Sequence, residues 1–192
     1  MGEPLDLTGQ VTLRDGRIAM VRPLRADDVD RLTDYFARFS ADSRRFYGPH
    51  PFDRATAERI CANLGPEDGV RFVALLGEGD AAMIIAYMIL ARRIGESDRQ
   101  RYGDRLDYAH CACLAPSVAD DFQSQGLGTR MGQQVLAMAR RLGLRQVILM
   151  GGVVAKNERA RRLYERLGFR RMGEFTTHGK ETLLNYDMLV DL

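Results

Sequence analysis

Residues 108–142 read as an apolar strand, a loop with two glycines and a long amphipathic helix, a succession that constrains the fold more than any other stretch. Leu127, Met131, Val135, Met138 and Leu142 recur at steps of four, four, three and four. That is the stripe of a helix buried along one side, and Arg140, Arg141 and then Gly143 mark its end. Tyr108 to Val118 reads as the strand, but Pro116 inside it has no N–H for a ladder bond and predicts a bulge or a splayed end. In the joining segment Gln123-Ser124-Gln125-Gly126-Leu127-Gly128-Thr129, glycine lets the backbone come close to a ligand. The first N–H groups of the helix point outward with the positive end of its dipole, so a diphosphate fits there.

Two common phosphate loops do not match. A dinucleotide fold needs a third glycine where Met131 stands and an acid about twenty residues on, where Ile148 and Leu149 lie in an apolar run. A P-loop needs Lys and then Ser or Thr directly after the glycines, a spacing that is absent. A plain strand-to-helix turn, with glycine serving geometry alone, remains open at this point.

The flanking chain reads as mixed α/β. Val11–Leu13 and Ile18–Leu24 flank Asp15-Gly16, a hairpin signal. A helix is expected over Ala26–Phe39, with Asp27 and Asp28 in its first turn where the dipole favours acids, and a second over Asp53–Leu64. Strands are expected over Val70–Leu76 and Ala81–Arg92, an exposed polar loop over Arg93–Arg105, a strand over Val147–Val154 and a helix over Asn157–Leu167. Two closing strands lie near Phe169–Phe175 and Leu183–Val190. With no repeat or low-complexity tract, residues 1–192 read as a single domain.

Composition narrows the function classes. Hydrophobic residues at 45% rule out disorder of the whole, and a net charge of +2 offers no general grip on nucleic acid. The longest apolar run, Ala81 to Ala91, is too short to span a bilayer as a helix. The start, with Glu3, Asp6, Arg14, Asp15 and Arg17, carries no secretory signal, and Asp6 stands where acylation after Gly2 wants Ser or Thr. Cys61, Cys111 and Cys113, an odd number, suit a reduced cytoplasmic compartment rather than disulfides. His110, Cys111 and Cys113 lack a second ligand pair, so no metal is expected.

Gln123-x-x-Gly126-x-Gly128, after a strand and before a helix, resembles the acetyl-CoA loop of the GNAT superfamily of N-acetyltransferases. Asn157, Ala160, Tyr164 and Gly168-Phe169 are similar to that family's second signature, and Val21-Arg22-Pro23-Leu24-Arg25-Ala26-Asp27-Asp28 to its first strand and the start of its first helix. The resemblance implies a central mixed, mostly antiparallel sheet with a splayed strand pair and helices on both faces. It implies acetyl transfer from acetyl-CoA to a primary amine in a ternary complex. It assigns Asn157 to the pantetheine side of the cofactor and Tyr164 to the thiol, where a phenol near pKa 10 acts as general acid to a thiolate near 8.5 at a cost of about 2 kcal/mol. Ser117, Val118, Gln123, Ser124, Gln125, Gly126, Leu127, Gly128, Thr129 and Arg161 are the other residues implied to meet the cofactor, with a Val118 N–H polarising the thioester carbonyl.

The base is the open position. Relatives of this kind often carry a glutamate ten residues before the loop glutamine, where this chain has Cys113. Asp107, His110, Asp120 and Asp121 are nearby candidates, and a water chain is another. Arg159, Arg162 and Arg166 share a face of the last helix, a row that is usually solvated; some of them, with Arg130, Lys156 or Arg161, are candidates for the phosphates. The missing glutamate motivates a second reading, a non-catalytic acyl-CoA sensor or interaction domain. The acceptor, a small-molecule amine or a protein lysine, is left to the loops Phe39–Pro51 and Arg93–Arg105, and whether the chain forms a homodimer is left open. Phe39-Ser40-Ala41-Asp42-Ser43-Arg44 is similar to GNAT domains that acetylate protein lysines.

Overall fold

Gly16 takes φ 86°, the left-handed turn that Asp-Gly supplies, and joins β1 (Gly9–Thr12) to β2 (Ile18–Pro23) as an antiparallel pair. The structure is a computed structural model that describes residues 5–179 and 181–192. Gly2 and Glu3, read above for acylation and secretion signals, lie outside the described residues. Beyond β2 the strands are β3 (Val70–Leu76), β4 (Met83–Ala91), β5 (Cys111–Val118), β6 (Gln146–Leu149), β7 (Val153–Val154), β8 (Arg170–His178) and β9 (Thr182–Asp191). They form one sheet in the order β1-β2-β3-β4-β5-β6-β9-β7, with β8 on β9. Every pairing is antiparallel except β5 with β6. A parallel pair needs a crossover, and α5 (Leu127–Arg141) supplies it. Its stripe residues Leu127, Met131, Val135 and Met138 are buried, each contributing about 1.5–3 kcal/mol of apolar burial.

The other helices are α1 (Val29–Ala37), α2 (Ala41–Arg45), α3 (Arg54–Ala62), α4 (Glu96–Tyr102) and α6 (Glu158–Arg166). Alternation along β5 sorts helices to the two faces of the sheet. Ser117 hydrogen-bonds Tyr35 of α1, and Cys111 and Cys113 pack with Ile94 and Tyr102 around α4. Val118, on the opposite face, lies against Gly128 of α5.

Two expectations need correction. Arg93–Arg105 is not an exposed loop: it holds α4, whose Asp98 and Tyr102 are buried four residues apart, in line with buried Ile94 just ahead of the helix and hidden by the polar residues between them. The strand expected over Val147–Val154 breaks into β6 and β7 because Gly151 and Gly152 both take positive φ, 68° and 71°. Of the two outcomes expected at Pro116, the splayed end forms, since β6 leaves β5 after Leu114, and the bulge does not, since β5 pairs with β4 in unbroken register; a bulge sits instead in β4, where Leu75 pairs Ile84 and Ala74 pairs Ala86. Asp28 stands at the start of the helix as expected, and it does more than meet the dipole. It is fully buried in the 3₁₀ turn ahead of α1 and accepts from both Arg22 terminal nitrogens at 2.7 and 2.8 Å and from the Arg25 N–H at 2.9 Å. Burial pushes its carboxyl up, but these hydrogen bonds and the charges of Arg22 and Arg31 outweigh that and hold it below the usual range. Among the described residues no helix is long and apolar enough to cross a membrane.

Candidate active site

The sheet opens where β6 stops. β6 pairs with β5 only from Cys111 to Leu114, and the last link is the Met150 N–H to the Leu114 carbonyl at 3.0 Å. Beyond it β5 runs on against β4 alone, while the other wall turns away at Gly151-Gly152 and β7 pairs with β9. The gap is part of a cleft of about 670 Å³. Backbone parity follows from two bonds: the Leu114 carbonyl faces β6, and the Ala119 N–H reaches the Ile85 carbonyl on β4. Even-numbered residues therefore aim their polar groups at the gap. Pro116 stands where no ladder partner exists, and the Val118 N–H faces the cleft.

The glycine loop is braced from behind. The Gln123 amide donates to the Val118 carbonyl at 2.9 Å, to Asp120 Oδ1 at 2.8 Å and to Ser43 Oγ at 3.3 Å. Asp120 also accepts from the Ser40 N–H and the Ser43 hydroxyl. Burial raises its carboxyl, and those bonds outweigh the burial and hold it below its ordinary value. Both residues thus fasten α2 to the loop, and Asp121 is exposed. Ser124 takes φ 58°, the sole positive φ outside glycine among the described residues, a strained position of the kind that clusters at binding loops. Gly126 caps α5 at φ 81° with no side-chain cap, which leaves the first-turn N–H groups to a ligand. Ser117, Val118, Gln123, Ser124, Gly126, Gly128 and Thr129 line the cleft. Gln125 does not, donating instead to the Asp121 carbonyl at 2.8 Å, and the Leu127 side chain is in the core.

Helix α6 supplies the facing wall. Asn157 caps it by accepting from the Ala160 N–H at 3.1 Å, and Asn157, Ala160, Leu163 and Tyr164 line the cleft. Tyr164 stacks edge-on to Phe169 at 5.7 Å, and burial, the one cause acting on it, pushes its hydroxyl well above its ordinary value. Arg161 departs from expectation. Its guanidinium donates to the Ala155 carbonyl at 3.1 Å and lies over the Tyr186 ring, and it is not part of the cleft wall. Of the arginine row, Arg159 and Arg166 reach the cleft while Arg162 pairs with Glu158 at the surface.

The base candidates on the sequence scatter. His110 Nδ1 lies 2.8 Å from Asp107 Oδ2, both exposed and at the start of β5, the end away from the cleft. Cys113 is buried under α4, and burial pushes its thiol up to about 12. Three cleft residues carried no local signal as a site: Arg14 beside the β1–β2 turn, Arg45 at the end of α2, and Asp98. With Arg159 and Arg166 the cleft wall includes four arginines and one acid, a composition suited to a polyanion.

Residues 19–170 match the family described as Acetyltransferase (GNAT) domain. The chain is 30% identical over 160 residues to Acetyltransferase PA5475 of Pseudomonas aeruginosa, spanning 82% of this chain and 78% of that protein. The GNAT domain of S. lividans PAT superposes with a TM-score of 0.73 at 23% identity, covering 100% of both chains. Mycobacterium smegmatis RimJ in complex with CoA-disulfide gives 0.72 at 15% identity, covering 96% of this chain and 86% of that one.

Proposed function

The chain belongs to the GNAT acetyltransferase family and is an acyltransferase, and from that premise we propose that it moves an acetyl group from acetyl-CoA to a primary amine in a ternary complex within this cleft. The observation that carries the proposal is the meeting of the sheet opening, the uncapped α5 N-terminus and the Tyr164 hydroxyl along one cleft. The fit to coenzyme A is chemical. Backbone N–H groups of Gly126, Gly128 and Thr129 and the guanidinium groups of Arg14 and Arg159 offer donors and positive charge to phosphates, and the gap beside Val118 offers an extended amide chain an unpaired strand edge.

The residues then divide the work. The Val118 N–H polarises the thioester carbonyl. The amine arrives as ammonium, loses one proton to water and attacks as the neutral base. Tyr164 gives its proton to the departing sulfur as the C–N bond forms and the C–S bond breaks, and the surplus proton on the new amide nitrogen returns to the phenolate through water. Its raised pKa keeps that proton in place through neutral and mildly alkaline pH. Because a folded-state pKa above 10 leaves the phenol protonated, Tyr164 should contribute no alkaline fall in turnover below about pH 10.

Tyr164→Phe tests the assignment. Turnover is expected to fall about 100-fold, while the acetyl-CoA dissociation constant stays within about twofold, because only the hydroxyl is removed and the ring stays. Steady-state kinetics with calorimetry reads both, and unchanged turnover at every pH removes Tyr164 as the acid.

A further inference from the structure

The cleft pierces the sheet, so it has two mouths. On one side it is walled by the α5 N-terminus and α6; on the other by Phe46 and Tyr47, which follow α2, and by Ser97 and Asp98 of α4. A cofactor seated on the glycine loop fills the first mouth and leaves the second to the acceptor. Among the described residues that line the cleft, Asp98 is the one acid, and none is a histidine.

We propose that Asp98 is the residue that recognises the acceptor, receiving the cationic ammonium group of a primary amine that enters past Phe46 and Tyr47. The proposal rests on the acetyl-transfer reading above. Its position is held from two sides. Asp98 Oδ2 accepts from the Gly151 N–H at 3.2 Å, at the turn where the sheet opens, and Oδ1 pairs with Arg101. The side chain is 5% exposed, so the carboxylate is fixed at the cleft wall rather than solvated. Arg101 is not its partner alone, because the Arg101 Nε also donates to both oxygens of Asp187 at 3.0 and 3.1 Å, so one guanidinium serves two carboxyl groups. A carboxylate has about four acceptor positions, and the two hydrogen bonds leave capacity for an ammonium donor. Phe46 and Tyr47 add apolar and aromatic surface of the kind that holds the methylene stem of an alkylamine and its cationic head. Arg45 lies over the Phe46 ring at 4.8 Å at this mouth, while Arg14, Arg159 and Arg166 come from the β1–β2 turn and α6; all four repel a cation, so the one carboxylate sets where it docks.

The test uses the full chain with acetyl-CoA and three amines: Nα-acetyl-lysine amide, 1,5-diaminopentane and an alanine-terminated peptide. Asp98→Asn keeps an oxygen for the Gly151 N–H and loses the charge. The expected result is a KM for each accepted amine raised about 10- to 100-fold, the loss of one charge-assisted hydrogen bond, with the acetyl-CoA dissociation constant within about twofold. An unchanged amine KM overturns the proposal and leaves the acetyl-transfer reading standing, as does an equal loss of cofactor and amine affinity, which marks Asp98 as wall support only. A wild-type chain that binds acetyl-CoA and acetylates none of the three amines overturns the acetyl-transfer reading, and the proposal with it. Should Asp98→Asn not fold, the ¹³C-carboxyl resonance of Asp98 in the wild-type chain decides: a shift saturating at the amine KM supports the proposal, and an unmoved resonance overturns it.

Discussion

Asp28→Ala is expected to cost about 3–5 kcal/mol of stability, because it leaves the Arg22 guanidinium almost buried with no countercharge. For a chain of this length each kcal/mol moves the midpoint by roughly 2–4 °C, so thermal unfolding should fall by about 10 °C. Replacing both partners with apolar residues of similar volume, Arg22→Met with Asp28→Leu, should restore most of that, since the cost lies in the uncompensated charge. The pH dependence has a definite sign. The Asp28 carboxyl is held below its unfolded value, so its contribution is complete above about pH 4 and is lost as pH falls through the folded pKa. The consequence reaches the site, because α1 starts at this pair and carries Tyr35, whose hydroxyl meets Ser117 at 2.9 Å on the cleft wall. A loss below 1 kcal/mol in urea titration would show that Arg22 finds water or another partner.

Gly126→Asp should raise the acetyl-CoA dissociation constant by about 100-fold or more. The introduced carboxylate stands at the uncapped start of α5, removes the space that φ 81° keeps for a phosphate and opposes its charge. Arg130 Nη1 would lie 3.3 Å from a Cβ at this position, close enough to pair with the new acid, and the left-handed backbone at φ 81° costs an aspartate about 1–2 kcal/mol, a fraction of a domain's stability, so the expected loss is chiefly one of binding. Calorimetry on the folded variant reads it, and a normal dissociation constant would move the phosphate site away from this loop.

Much of this architecture was legible along the chain. The stripe of α5, the Asp-Gly hairpin and the strand Val70–Leu76 are local patterns, and each forms as its periodicity predicts. Pro116 pointed to the opening of the sheet, although the reason lies in parity: its missing N–H faces the gap and no bulge is needed. Helix α4 was hidden because one side alone is buried and six of its seven residues are polar or charged, yet Ile94, Asp98 and Tyr102 at steps of four were there to be read. Gly151-Gly152 was an available signal for the break between β6 and β7. Arg14, Arg45 and Asp98 belong to a different class. They meet in the cleft from segments far apart in sequence, and only the folded sheet brings a β1–β2 turn, the end of α2 and α4 to one site.

The local placement of charge also explains how a chain with a net charge of +2 can address a polyanion. Four of its arginines gather at the cleft, whereas others, such as Arg22 and Arg101, are consumed by buried carboxylates.

The central claim is that this cleft transfers acetyl from acetyl-CoA to a primary amine, and thiol release followed against an amine panel tests it most directly. The predicted result is release of coenzyme A thiol that depends on both the amine and Tyr164. Calorimetric binding of acetyl-CoA with no thiol release on any amine would contradict it and leave an acyl-CoA-binding domain in its place.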